Sequence, residues 1–156
     1  MKDISDLETA VSEISYELSL WPISPTNVLH VGDQSSYEIV RRYLDYAKLS
    51  FICMANESCE RSEHFWNSAK WGQHQDLVIC LDLFTTQACS RTPYFFSMTR
   101  ASLAPDGRLI ALEHLPKTSA EYETLKAAAD QGGMRLISAL PLDADNRWNC
   151  LVFQVT

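Results

Sequence analysis

Glycine is scarce where this chain would most be expected to carry it. Five glycines occur in 156 residues, and the stretch Asn27–Ser36, an apolar run leading into a turn and a helix start, holds one of them, Gly32. Turns that bring a nucleotide against the backbone use glycine where φ must be positive or a ligand must approach closely, in spacings such as G-x-G-x-G and G-x-G-x-x-G. Here Gln34 and Ser36 stand at the two further positions of the first spacing, and Tyr37 at the last position of the second. G-x-x-x-x-G-K-[ST] is absent, which argues against a nucleoside triphosphate. Asp33 and Glu38 place negative charge at the helix start where a dinucleotide pyrophosphate would need donors.

Other absences narrow the class. The five cysteines, Cys53, Cys59, Cys80, Cys89 and Cys150, are odd in number and contain no C-x-x-C pair. They read as reduced thiols of a cytoplasmic protein. Cys59, His64 and His74 match no compact metal-ligand spacing, so no metal site is expected. Arg41-Arg42 is the one adjacent basic pair, and the formal net charge is -7. Clustered phosphate-neutralising cations are therefore missing, and neither nucleic acid nor an anionic membrane surface is an expected partner. No apolar stretch reaches the roughly 18 residues of a bilayer span, and the first eight residues lack the apolar core of a secretory signal.

What is present is a core: 46% of the residues are apolar, enough for a single domain over residues 1–156. Ser5 and Glu8 make a capping box, and Leu7, Val11, Ile14 and Leu18 recur at helical spacing, so a helix is predicted to about Leu20, ended by Trp21-Pro22. Val28–Val31 is a short buried strand. Ser35 and Glu38 form a second capping box, opening a helix through Ala47 with Ile39, Val40, Tyr43, Leu44 and Ala47 on its buried face. Leu49–Met54 reads as a strand, Ser58–Lys70 as a polar helix anchored by Phe65, Trp66 and Ala69, and Asp76–Leu81 as a third strand.

Thr92-Pro93 starts a helix ending near Leu103. Pro105-Asp106-Gly107 is a turn feeding a strand from Arg108 to His114. Thr118 and Glu121 cap a helix that Gly132-Gly133 closes. Arg135–Leu140 and Trp148–Val155 flank a turn-rich segment and form an antiparallel hairpin. Alternating strands and helices predict an open, doubly wound, mostly parallel α/β sheet with helices on both faces.

Three segments carry a resemblance. Val28-Leu29-His30-Val31-Gly32 resembles the first strand and loop of class I S-adenosylmethionine-dependent methyltransferases. Asp76–Asp82 is similar to that family's fourth strand, and Ser102-Leu103-Ala104-Pro105-Asp106-Gly107-Arg108-Leu109 resembles the segment before its fifth. The likeness runs along nearly the whole chain and implies the Rossmann-like methyltransferase fold with its C-terminal hairpin.

The chain departs from that pattern at three places. His30 replaces an acidic residue in the first strand, and Gln34 and Ser36 replace glycines. After the second strand, Cys53-Met54-Ala55-Asn56-Glu57 lacks an acid at the place where a carboxylate would accept from both ribose hydroxyls; Glu57 fills the role only if the loop slips by about two residues. Between that strand and Asp76 there is room for one helix and no further strand, so the family's adenine-contacting strand is expected to be missing at the sheet edge.

The resemblance makes Gly32, Asp33, Gln34, Glu57 and Asp82 the candidate cofactor-binding residues. Asp82 ends a central strand, beside the crevice where open α/β sheets bind ligands. Its structural alternative is a brace for the loop that follows. Glu113 and His114 are expected on the same rim, converging with Asp33, whereas His30 reads as a satisfied core histidine. Of the aromatics, Trp66 and Trp71 are expected at a contact between chains. No catalytic residue is identified.

The expected function is that of a pseudoenzyme: a methyltransferase-like domain with S-adenosylmethionine binding weakened or lost, serving protein-protein interaction or assembly. An active small methyltransferase that uses S-adenosylmethionine and a non-catalytic small-molecule-binding domain are the alternatives. Leu49–Met54, apolar and without charge, is the expected docking edge, for a homodimer or another protein.

Overall fold

The computed structural model describes residues 4–19, 21, 24–45, 48–53, 69–72, 74–81, 83–86, 92–114, 120–141 and 148–156. The sheet is built from β1 (Asn27–Gly32), β2 (Lys48–Cys53), β3 (Gln75–Leu81), β4 (Leu103–Glu113), β5 (Met134–Pro141) and β6 (Asn149–Val155), in the order β2-β1-β3-β4-β6-β5. β1 pairs in parallel with β2 and β3, and β3 with β4. β6 runs antiparallel to both β4 and β5, which gives the C-terminal hairpin its place in the sheet. Among the described residues β2 is the outermost strand on its side.

Four longer helices cover the faces: α1 (Ile4–Ser19), α2 (Gln34–Tyr43), α3 (Thr92–Ser102) and α4 (Ala120–Gln131). The period of two along each strand divides the core. Val28, Leu77, Ile79, Ile110 and Leu112 face α1 and α2, meeting Val11, Ile14, Leu18, Ile39, Val40 and Leu44. Leu29, Val31, Val78, Cys80, Leu109 and Ala111 face the other way, toward Phe95 and Phe96 of α3 and Leu125, Ala128 and Ala129 of α4. The sheet is therefore doubly wound, as alternation of strand and helix requires.

Three local expectations are corrected. The N-cap of α2 is Asp33, whose carboxylate accepts from the Ser36 amide, because the helix begins two residues earlier than a Ser35 cap would allow. α2 also ends earlier, with the Leu44 amide bonded to the Val40 carbonyl at 2.9 Å; Ala47 lies outside the described residues. Pro105-Asp106-Gly107 sits in an irregularity within β4, whose pairing with β3 jumps from Gln75↔Leu103 to Leu77↔Arg108. The turn is thus carried as a bulge instead of preceding the strand. At the end of α4, Gly133 takes φ +82, the left-handed closure foreseen for this pair.

The polar helix expected over Ser58–Lys70 lies largely outside the described residues, which resume with a 3-10 turn at Ala69–Gly72. Trp71 corrects the expectation of a surface contact. It is buried and meets Phe95 edge to face, ring centroids 5.6 Å apart. Phe95 and Phe96 belong to the same core, with Phe84 stacked on Phe96.

Candidate functional site

The carboxyl ends of β1, β3 and β4 form one rim of the sheet, the side on which open α/β folds bind ligands. Its first component is the β1–α2 turn. Gly32 ends the buried strand, and Asp33, extended at φ -90 and ψ 174, caps the helix. Asp33 Oδ1 accepts from the Ser36 amide at 2.8 Å and the Asp33 carbonyl from the Tyr37 amide at 3.1 Å. Gln34 lies on the exposed surface, its side-chain amide donating to Glu38 at 2.8 Å. The first turn of α2 is satisfied by its own residues to that extent.

Beneath the turn lies His30, fully buried. Its Nδ1 is 3.1 Å from the Ile79 carbonyl on the adjacent strand, and its Nε2 is 2.8 Å from Ser36 Oγ. Burial holds the imidazole down to about 4, against the opposing pulls of the Ile79 carbonyl and the Asp33 charge. The ring is therefore neutral near pH 7, with both nitrogens partnered. The parallel register sets Phe51 opposite His30, and the rings lie 5.8 Å apart; Tyr37 of α2 stacks on Phe51 at 4.4 Å. His30 is thus walled off by aromatics and holds no open position on the rim.

The second component is the end of β4. Glu113 is buried and accepts a hydrogen bond from the Phe84 amide at 3.0 Å, at the start of the single helical turn Leu83–Thr86. It braces the loop that leaves β3. Its charge adds to burial in pushing the Cys80 thiol well above the usual range, which makes that cysteine inert. His114 is exposed, and its ring lies 5.2 Å from that of Trp148 on the α1 and α2 side. Successive strand residues face opposite sides, so Glu113 and His114 do not converge, and Asp33 is engaged by its own helix.

Glu57 and Asp82 lie outside the described residues. Among the described residues no group of three or more His, Cys, Asp or Glu gathers as a metal site, and no helix is long and apolar enough to cross a membrane. A concave groove of about 350 Å³ does occur, but between α3 and the start of β4, lined by Arg100, Leu103, Pro105 and Val155 among others. That is the opposite rim of the sheet. The Ser36–His30 pairing is not legible from spacing, and its one available signal in the sequence is a histidine on the strand face that the following helix covers.

No family model matches the chain. No curated protein matches it either. Solved structures do. The mitomycin 7-O-methyltransferase MmcR is similar with a TM-score of 0.64 at 11% identity, over 94% of this chain and 54% of that one. A TehB-like SAM-dependent methyltransferase from Corynebacterium glutamicum gives 0.55 at 10% identity, over 96% and 88%. The plantazolicin methyltransferase BpumL, solved in complex with SAH, gives 0.60 at 11% identity, over 98% and 85%. The chain spans about half the length of the first of these and most of the other two.

Proposed function

We propose that this chain, which has the fold of the class I S-adenosylmethionine-dependent methyltransferases, is a methyltransferase-like domain in which cofactor binding is weakened or lost and which serves as an interaction or assembly module. The observation that carries this reading is the β1–α2 turn. Its glycines are replaced by Gln34 and Ser36, and Asp33 takes up the Ser36 and Tyr37 amides that begin α2.

Magnitudes favour weakening over a merely altered preference. Hydrogen bonds to charged groups contribute about 1.5 to 3 kcal/mol each, and about 1.4 kcal/mol is tenfold in affinity. Loss of the ribose carboxylate and the adenine contact together would move a micromolar site toward millimolar. Titration calorimetry with S-adenosylmethionine and S-adenosylhomocysteine tests the reading, with no tight binding expected. A dissociation constant in the low micromolar range would overturn it.

One observation favours the second reading, an active small methyltransferase: the chain covers 85% of a methyltransferase solved in complex with SAH. In that case Gly32, Asp33, Gln34, Glu57 and Asp82 would hold S-adenosylmethionine, which would supply the transferable methyl group. For the interaction role, the β2 edge is the proposed docking strand, and a second copy of this chain the proposed partner. Leu49 and Phe51 of that strand pack toward the α1 and α2 side, so its backbone edge, more than its apolar side chains, is what it offers.

A further inference from the structure

The three residues His30, Gly32 and Ser36 fit one another so closely that none can be read alone. Gly32 ends β1 on the same strand face as His30. A Cβ placed on Gly32 would lie 2.7 Å from Ser36 Oγ and 2.9 Å from His30 Nε2. Both distances are shorter than side chains tolerate. The atoms that fill this space belong to a buried histidine and a buried serine that are bonded to each other at 2.8 Å. The hydrogen side of Gly32 therefore faces the underside of α2 and not the crevice above the rim.

The protons of this cluster are fixed by elimination. The Ile79 carbonyl, 3.1 Å from Nδ1, can only accept, so a neutral ring carries its proton on Nδ1. Nε2 is then a bare acceptor inside the core. The Ser36 hydroxyl has one proton and two acceptors in reach, Nε2 at 2.8 Å and the Asp33 carbonyl at 2.9 Å. The Asp33 carbonyl already receives the Tyr37 amide, whereas Nε2 has no other donor among the described residues. A buried acceptor left without a donor is the costlier outcome, so the hydroxyl proton goes to Nε2.

We propose that the Ser36 hydroxyl and the His30 imidazole, held as the Nδ1–H tautomer, form a lock that sets the β1–α2 turn without any ligand, and that this lock is what requires glycine at position 32. In the glycine-rich turns of related design the last glycine permits close packing of helix on strand. Here that need has moved across the turn: the helix carries a side chain at Ser36, and the strand gives way at Gly32. Gly32 then ceases to be a sign of ligand contact. The lock stands independently of cofactor affinity, because it lies beneath the turn and not above it.

Two measurements on the full chain test it. Long-range proton–nitrogen correlation spectra of the histidine rings near pH 7, with the His30 signals identified by their absence from His30→Asn, should give a protonated Nδ1 and a bare Nε2 that shifts in Ser36→Ala. A protonated Nε2, or an Nε2 unmoved by Ser36→Ala, would overturn the lock. In a double-mutant cycle, Gly32→Ala should lower the melting temperature by ~3–10 °C in the parent. The loss should be at most half as large in a Ser36→Gly background, where the ring can move into the vacated space. Equal losses in the two backgrounds would also refute the proposal. If Gly32→Ala fails to fold, the ring spectra of the parent and Ser36→Ala still decide it, and none of these readouts depends on whether S-adenosylmethionine binds.

Discussion

Asp76 and Thr26, fifty positions apart, are joined at the foot of the sheet: the Asp76 Oδ2 accepts from the Thr26 amide at 3.1 Å and from its hydroxyl at 2.9 Å. The same oxygen takes the Asn27 amide at 2.9 Å. One carboxylate thus pins the start of β1 to the start of β3, where the strand that leads to Gly32 enters the sheet. The Asn27 amide above all holds this carboxyl below its usual range.

Replacing that carboxylate should loosen the entry to β1. Asp76→Ala is expected to cost roughly 1 to 3 kcal/mol, a fall in melting temperature of about 3 to 10 °C for a chain of this size. Because the folded carboxyl is the more acidic, its contribution is complete above the unfolded value near 3.8 and is lost as pH falls through the folded value. Melting curves of parent and variant should therefore converge in strong acid. A constant gap from neutral pH down to strong acid would contradict this.

His30 gives the opposite group the same direction of pH dependence. Its unfolded value is 6.5 and burial lowers the folded value to about 4, so between those limits the unfolded chain binds a proton that the folded chain refuses. Stability is fully present above about pH 6.5 and declines toward pH 4, by roughly 3 kcal/mol from this residue alone. Urea titrations of the parent should show that decline, and His30→Asn should be less stable at pH 7 yet flatter between pH 6.5 and 4.5. A variant with the parent's slope would place the titration elsewhere.

The bulge in β4 depends on a small residue. A Cβ on Gly107 would lie 2.9 Å from the Gln75 carbonyl and 3.0 Å from that of Ala104, both backbone atoms that cannot turn aside. Gly107→Ala should lower the melting temperature by about 3 to 10 °C, whereas Gly72→Ala, with nothing within 4 Å, should change it little.

Association through the β2 edge is expected to give a dimer in light scattering at micromolar concentration. Ser50 is the half-buried residue to alter, since Phe51 is committed to Tyr37 and His30. Ser50→Lys, checked for folding by circular dichroism, should shift the protein toward monomer. A parent that stays monomeric throughout that range would end the dimer proposal.

The site was legible only in outline. The apolar run before Gly32, and the replacement of its neighbouring glycines by Gln34 and Ser36, could be read directly from spacing. The Ser35 capping box could be read too, and it was the wrong cap, because Asp33 satisfies the same local rule two residues earlier and also closes the turn from β1. Convergence of Asp33, Glu113 and His114 was inferred from a shared rim. It fails because a rim does not fix which face of its strand a residue occupies, and Glu113 turns to the Phe84 amide.

By itself the sequence determined the order of elements. A period of two or of 3.6, together with Trp21-Pro22, Thr92-Pro93 and Gly132-Gly133 as punctuation, depends on residues two to four positions apart and needs no knowledge of the rest of the chain. Tertiary structure alone decided which polar groups meet: Asp76 with Thr26, His30 with Ile79 and Ser36, Glu113 with Phe84. Most of these pairs are brought together by strand order and register, and even Ser36, six residues from His30, reaches it only because α2 folds back over β1. A buried polar group takes its partner from the neighbouring element that packing supplies, and local spacing cannot name that element.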